Sequence, residues 1–389
     1  MQISNTLPLS LPVPRIYRIA LSIFFFVQGL IFASWASRIP DIKLKFHLND
    51  AELGSLLFAL PAGQMAGMAL SGYLVSKFGS RLMLLIGVVL YPGTLILLGA
   101  APTVVLLVSA LVFFGLCANL INIAANTQAI SVEGLYRKSI MASFHGLWSL
   151  AGFTGGLIGS FMAAHRFTPF VHYCAIFALT LLLALLAGPY LLPRDASRKN
   201  KQTSIFVKPN RNIILLGMIT FACMICEGTM FEWSGVYFQQ IVHAPAKLVG
   251  LGFTAFMSTM AGGRFAADYF ITRFGVKRML QVSGVTILSG LLIAVILPTI
   301  VPVTIGFLLV GVGVASVVPM TYSLAGRSRT IQPGVALAMV SSIGFLGFLL
   351  GPPLIGFVAE AFGLRWSFTM IAVLGLGTTL LAGSIKNEE

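Results

Sequence analysis

Charge is what this sequence has least of. Only 9% of its 389 residues are Asp, Glu, Lys or Arg, against about 25% in an ordinary soluble domain. That deficit excludes a cytosolic globular protein. Acids are scarcest, with eleven in the whole chain. Cysteine is nearly absent: four are scattered, at Cys117, Cys174, Cys223 and Cys226. The one close pair, Cys223 and Cys226, has no second ligand pair to complete a metal site, so small packing residues are the simpler reading. No G-x-x-x-x-G-K-[ST] stretch occurs, which excludes direct drive by ATP bound at a phosphate loop. No Ser/His/Asp constellation or metal cluster marks an enzyme, and no cofactor is expected.

Apolar length is what the chain has instead, at 57% hydrophobic residues. Crossing a bilayer as a helix takes about 20 such residues. Twelve runs qualify: 16–38, 51–75, 81–100, 103–131, 139–164, 168–192, 212–240, 247–271, 278–297, 302–325, 333–360 and 365–385. No small-residue cleavage site follows the first, so it reads as a retained helix and not a signal peptide.

The net charge of +14 would suit a nucleic-acid partner, but its distribution argues otherwise. With the N-terminus in the cytoplasm, eighteen of the 25 Lys and Arg fall on the cytoplasmic side and six on the outer side. Arg264 alone stays within the membrane. This positive-inside asymmetry sets an N-in, C-in orientation. The expected partners are therefore the lipid bilayer, a small-molecule substrate and protons, with no nucleic acid, and a monomer located in the cell (inner) membrane as a multi-pass protein.

The sequence also repeats itself. SKFGSR at 76–81 returns 196 positions later as TRFGVK at 272–277, and Gly54 pairs with Gly250, Gly67 with Gly263, Phe78 with Phe274 and Gly79 with Gly275. Six helices, an even number, separate the copies, so both face the same side and the repeats are parallel. The expected fold is all-α integral membrane, twelve transmembrane helices as two parallel six-helix bundles (6+6). The domains read as 1–192, a basic cytoplasmic linker 193–211, and 212–389.

These features resemble the major facilitator superfamily. Its G-x-L-x-D-R-x-G-R-R loop appears here as Gly72 to Arg81, with Ser76 at the Asp position. On this resemblance Lys77, Arg81 and Arg273 are gating candidates. More finely, 122–126 (NIAAN) resembles the E-T-A-A-N run of fucose-permease-like transporters, and 227–235 (EGTMFEWSG) and 143–150 (SFHGLWSL) resemble a bacterial branch of that group. Asn122 stands where that family has its acid, so proton coupling does not carry over there. Leu111 occupies the Arg position of the R-x-x-Q-G pattern of drug exporters, and helix 5 lacks their G-P-x-x-G.

Three acids lie in or near the apolar layer: Glu227, Glu232 and Asp268. Glu227 is deepest, about 21 Å along its helix at about 1.5 Å per residue. A carboxyl at that depth faces a cavity or a partner, either as a proton carrier or as an interhelical packing bond. Asn119, Asn122, Asn126 and Glu133 share one face of helix 4. Unsatisfied carboxamides are not tolerated in lipid, so the stripe either lines a polar cavity or bonds another helix. His145 reads as a proton shuttle or a helix–helix donor, and Trp148 as a stacking platform or an interface aromatic. Gln28 and Trp35 share a face of helix 1. Arg38 and Asp41 follow at the outer mouth, either as gating residues of an outer gate or entry funnel or as a solvated loop pair, and Glu232, a further gating candidate, has the reach to meet Arg38 there. Arg264 and Asp268, spaced i,i+4, read as a structural or gating ion pair. Glycines and Pro352–Pro353 in helix 11 suit either flexing or tight packing.

The expected function is a secondary active transporter of a small polar, sugar-like solute, working by alternating access and driven by proton symport. An exporter of a metabolite or amphipathic compound is the alternative, and a sensor with a transporter fold the remote one.

Overall fold

Apolar runs separated by short polar breaks produce helices. The structure, a computed structural model, describes residues 13–136, 140–195, 208–328 and 331–385. Its helices in the first half are α1 (Val13–Ala36), α2 (Ile39–Lys45), α3 (Asp50–Leu57), α4 (Ala59–Phe78), α5 (Ser80–Ala100), α6 (Val104–Glu133), α7 (Met141–Ala164) and α8 (Pro169–Ala187). The second half holds α9 (Arg211–Gln240), α10 (Leu251–Phe274), α11 (Val276–Ile296), α12 (Ile300–Val314), α13 (Val317–Gly326), α14 (Pro333–Phe362) and α15 (Leu364–Gly383). Most of the expected linker, at 196–207, lies outside the described residues.

Side chains that compete for backbone hydrogen bonds start these helices. Asn49 and Glu52 form a reciprocal capping box at α3, and Thr103, Thr168 and Asn210 cap α6, α8 and α9. Each satisfies an N–H left without an intrahelical partner.

Eleven spans among the described residues are long and apolar enough to cross a membrane, one fewer than the twelve expected. The exception is 247–271, which forms α10. It is 24 residues long, but Arg264, Asp268, Gly262, Gly263, Ser258 and Thr259 dilute its apolar character. Other expected spans are broken. The second is split at Phe58 into α3 and α4, and the tenth near Ser316 into α12 and α13. Helix α14 instead runs unbroken through Pro352 and Pro353.

The repeat is visible in the packing. Within the first half α1 packs on α7, α4 on α6, and α5 on both α6 and α8; within the second, α9 packs on α14, α10 on α12, and α11 on both α12 and α15. Gly79 and Gly275 link the paired helices with φ of 84° and 79°, a region open to glycine without strain. Two further positions extend the same 196-residue offset: His47 and His243 both turn the chain with positive φ, 52° and 51°. Lys77 bonds the Tyr73 hydroxyl at 3.0 Å and lies over the Phe78 ring; Arg273 bonds the Tyr269 hydroxyl at 3.1 Å and lies over the Phe274 ring.

The halves meet chiefly through α3 with α14 and α7 with α10. At the α3 end they are tied together. Asp50 accepts from Lys43, and from Gln240 of α9 at 3.3 Å, while its own N–H donates to Glu360 of α14 at 3.0 Å. Gly54 and Gly356 bring the backbones together: a Cβ on Gly54 would lie 2.6 Å from the Pro352 carbonyl oxygen. We call this the sealed end. Toward the opposite end α14 leaves the first half, and its packing on α4 is slight.

Candidate functional site

The polar side chains that lipid excludes converge between the halves. A cavity of about 330 Å³ lies there. Helix α1 contributes Phe25, Gln28 and Phe32 at the three- and four-residue spacing that keeps side chains on one face. Helices α4, α5 and α6 add Gln64, Tyr91, Ala118 and Asn122, and α7 adds His145 and Trp148. The second half supplies Met224, Glu227, Phe231, Arg264, Phe345 and Phe348. A larger recess of about 570 Å³ lies on the outside of the bundle around 363–366. Its lining is apolar apart from Arg365 and Thr369, so it offers little chemistry.

An ion pair spans the central cavity's second-half wall. Arg264 of α10 reaches Glu227 of α9, Nη2 to Oε1 at 3.2 Å. Its Nη1 donates to Ser149 Oγ of α7 at 2.6 Å, and its guanidinium lies 5.9 Å from the centre of the Trp148 ring. One cation thus joins three helices drawn from both halves. Charge-assisted bonds of this kind are the strong ones in a poorly hydrated site. The sequence spacing suggested Asp268 as the partner of Arg264; the pairing described is with Glu227, and the Asp268 side chain lies outside the described residues.

Above this pair, on the side of the sealed end, aromatic rings close the cavity. Phe32 meets Phe231 at 5.1 Å between ring centres, and Trp148 lies 5.8 Å from Phe32 and 6.1 Å from Phe231. Phe231 rests in turn on Phe256 at 5.7 Å. The His145 and Phe25 rings meet edge to face, centres 5.5 Å apart.

The asparagine stripe divides. Asn122 lines the cavity. Asn126 donates to the Oδ1 of Asn122 at 2.7 Å and to its carbonyl oxygen at 2.9 Å, and so orients it. Asn119 is buried outside the cavity lining, with its Cβ beside Gly67 of α4. Glu133 accepts from the N–H groups of Ile140 and Met141, capping α7. Gln28 lines the cavity and donates to the Phe24 carbonyl at 3.3 Å. Trp35 is buried against Phe114 in the first half, away from the cavity.

The remaining gating candidates sit apart from the cavity. Arg38 pairs with Asp41 at 3.2 Å and donates to the Phe167 carbonyl. The expected Arg38–Glu232 contact is not made: Glu232 is buried in α9 with neither carboxylate oxygen hydrogen-bonded. Arg81 donates to the Pro189 carbonyl at 3.3 Å. Lys77 and Arg273 each bond within their own half, as described above. Where the loop pattern would hold an acid at Ser76, Asp195 supplies one from beyond α8, accepting from the Ser80 N–H at 2.8 Å and from its hydroxyl.

Ser149, Gln64, Tyr91 and the cavity phenylalanines escaped the sequence reading. So did the Lys43–Asp50–Gln240–Glu360 cluster. Ser149 follows His145 by four residues, which was the available signal. Phenylalanine is too common here, 30 in the chain, for any one to stand out.

The sequence profile of the Major Facilitator Superfamily matches this chain over residues 20–246 and again over 215–386. Membrane protein MosC of Rhizobium meliloti is 33% identical over 364 residues, covering 92% of this chain and 87% of its own. An uncharacterized transporter of Sinorhizobium fredii, y4wD, is 32% identical over 365 residues, 93% of this chain and 96% of its own. Among solved structures, the nucleoside transporter NupG overlays with a TM-score of 0.77 at 14% identity, covering 95% of this chain and 99% of that one.

Proposed function

The chain belongs to the Major Facilitator Superfamily, and on that premise we propose that it moves a small polar solute through the Arg264–Glu227 cavity by proton symport. It is a multi-pass integral membrane protein, and its function is transport by alternating access, not catalysis. MosC is a membrane protein and y4wD an uncharacterized transporter, so the fucose-permease-like reading rests on the NIAAN, EGTMFEWSG and SFHGLWSL runs.

The observation that carries the proposal is the position of the ion pair. Glu227 is the only acid lining the cavity among the described residues, and it bonds the only cation there, on a neighbouring helix. Breaking one member of such a buried pair strands the other, so a proton taken by Glu227 leaves Arg264 without its counter-charge. That couples proton occupancy to the solute's binding, which is the requirement for symport. His145, which also lines the cavity, is the second proton-handling candidate.

With the basic end in the cytoplasm, the sealed end is the outer one and the cavity belongs to an inward-open state. The Asp50 cluster and the Gly54–Gly356 contact form the outer gate, a role the sequence assigned to Arg38, Asp41 and Glu232. The 6+6 division, the cytoplasmic linker 193–211 and a monomeric unit remain part of this reading.

Glu227→Gln in proteoliposomes tests it. The variant should lose uptake driven by a pH gradient, roughly 100-fold or more by analogy with loss of a positioned proton-transfer group, while solute exchange without a gradient persists. Wild-type gradient-driven uptake by the variant sinks the coupling role.

A further inference from the structure

The charges of the cavity also select a class of solute, an inference that rests on the transport reading above. Arg264 is fixed from three sides. Ser149 holds one of its nitrogens at 2.6 Å, the Trp148 face lies 5.9 Å away, and Glu227 takes another nitrogen at 3.2 Å. Two of those three supports do not depend on Glu227. When Glu227 is neutral, the guanidinium therefore stays in place, in the cavity wall, without its counter-charge. A partly buried cation in that condition is costly, and an uncharged solute does nothing to relieve it.

The rest of the lining agrees. Asn126 donates to the Oδ1 of Asn122 at 2.7 Å, and the Asn122 NH₂ is a donor on a residue that lines the cavity. Against the donors stand the rings of Phe25, Phe32, Phe231, Phe345 and Phe348. Gln28, Gln64, Tyr91 and His145 also line the cavity and serve a polar group, but a solute polar on every face would set hydroxyls against the rings, at a desolvation cost. A body with one anionic group and an apolar remainder matches both surfaces. The volume of about 330 Å³ is at the low end for small-molecule sites, which run from about 300 to 1,000 Å³.

We propose that the solute is a small organic monoanion, a carboxylate on an apolar or planar body, which takes Arg264 when Glu227 is protonated. Proton and anion enter together and the loaded carrier holds no added charge. Other titratable groups around the pair are Cys223 and Cys226 on α9, Tyr322 on α13 and His145 on α7. A charge gained by His145 would act in the same direction as protonation of Glu227, so variants must separate the two.

The test is calorimetric binding to the purified full chain, using acetate, butanoate, 2-oxobutanoate, benzoate and phenylacetate, each beside its neutral amide, with fucose and uridine as uncharged comparators. At least one carboxylate should bind, with its amide about 30-fold weaker, the expected size of losing a charge-assisted bond to a buried Arg. Glu227→Gln should bind that carboxylate roughly tenfold tighter and without the acid preference of the wild type, because its competitor is gone. The charge-neutral pair Glu227→Gln with Arg264→Gln, which leaves no stranded ion to unfold the protein, should bind carboxylate and amide alike. Uptake in liposomes should ignore an imposed membrane potential. The proposal is overturned if no carboxylate binds, if an amide, fucose or uridine binds as tightly, or if the double variant keeps the carboxylate preference. A carboxylate bound at Arg264 but taken up without regard to a pH gradient defeats proton coupling and leaves the solute class standing. Proton-coupled uptake of a neutral solute does the reverse.

Discussion

The two halves share a backbone plan and differ at the positions that touch the cavity. Gln28 on α1 and Met224 on α9 are 196 residues apart and both line it, one polar and one apolar. Glu227 corresponds by the same offset to Ile31, and Arg264 to Met68. Ile31 is fully buried among apolar neighbours and Met68 is 48% exposed. The first half thus offers neutral amides and rings, and the second offers the charge. A scaffold that needs two like bundles to rock does not need both to carry the chemistry. Duplication supplies the motion, and divergence at a few side chains supplies selectivity and drive.

The comparison breaks most sharply at Arg264. Arg264→Ala leaves Glu227 buried without its partner and should cost roughly 3–5 kcal/mol of stability, read as a large fall in thermal midpoint in detergent. Adding Glu227→Gln should restore most of it. The equivalent Met68→Ala removes an exposed side chain and should move the midpoint little. Equal losses at the two positions would show that the asymmetry is only apparent.

Next in size is the sealed end. Gly54→Val puts new atoms against the backbone of Pro352 and Gly356, which cannot turn aside. Its repeat mate Gly250 faces the side chain of Ser160, which can. Overpacking of this kind costs about 1–3 kcal/mol. Gly54→Val should therefore open the α3–α14 contact and shift the protein out of the sealed state, seen as lost cross-linking between cysteines placed at Asp50 and Glu360. Gly250→Val should keep the cross-link. A preserved cross-link in Gly54→Val would remove the glycine contact from the gate.

How much of this was legible in advance follows from what each signal depends on. The repeat and the helices were readable because period, length and glycine positions are local properties. Glu227 and Arg264 stood out because charge is rare in an apolar run. Their pairing was hidden, because spacing within one helix is visible and the rotation of α9 against α10 is not; the sequence shows only the i,i+4 neighbour Asp268. The asparagine stripe failed partially for the same reason. A shared face spans a wide arc, and α6 turns Asn122 to the cavity while Asn119 goes toward α4. Helix α10 shows a related effect, since Arg264, which it sets in the cavity wall, is among the residues that weaken it as an apolar span.

A smaller effect tests the neutral half. Asn122→Ala removes a donor from the cavity and should weaken solute affinity roughly 3- to 10-fold, the range of one hydrogen bond. Asn126→Ala should cost less, because it acts by orienting Asn122. Val318, the repeat mate of Asn122, lies outside the cavity lining, and Val318→Ala should leave affinity unchanged. Titration calorimetry with the identified solute separates these, and an Asn122→Ala protein with wild-type affinity would leave recognition to the second half alone.

The smallest effect is expected where the halves are most alike. Lys77 and Arg273 each bond a tyrosine four residues back and cover a phenylalanine one residue on. Both contacts lie at exposed positions within one half, and exposed pairs of this kind contribute about 0.5 kcal/mol or less. Lys77→Ala and Arg273→Ala should each leave the thermal midpoint nearly unchanged, and by the same amount. Transport rate is the more discriminating readout. If the twin loops only cap their own bundles, both variants transport at wild-type rates. If they close on the other half in the outward-facing state, both slow turnover together while solute affinity in the inward-open state stays constant. A loss in one variant alone would mean that the loops have diverged in function despite their matched geometry, and the asymmetry of the cavity would then extend to the gate.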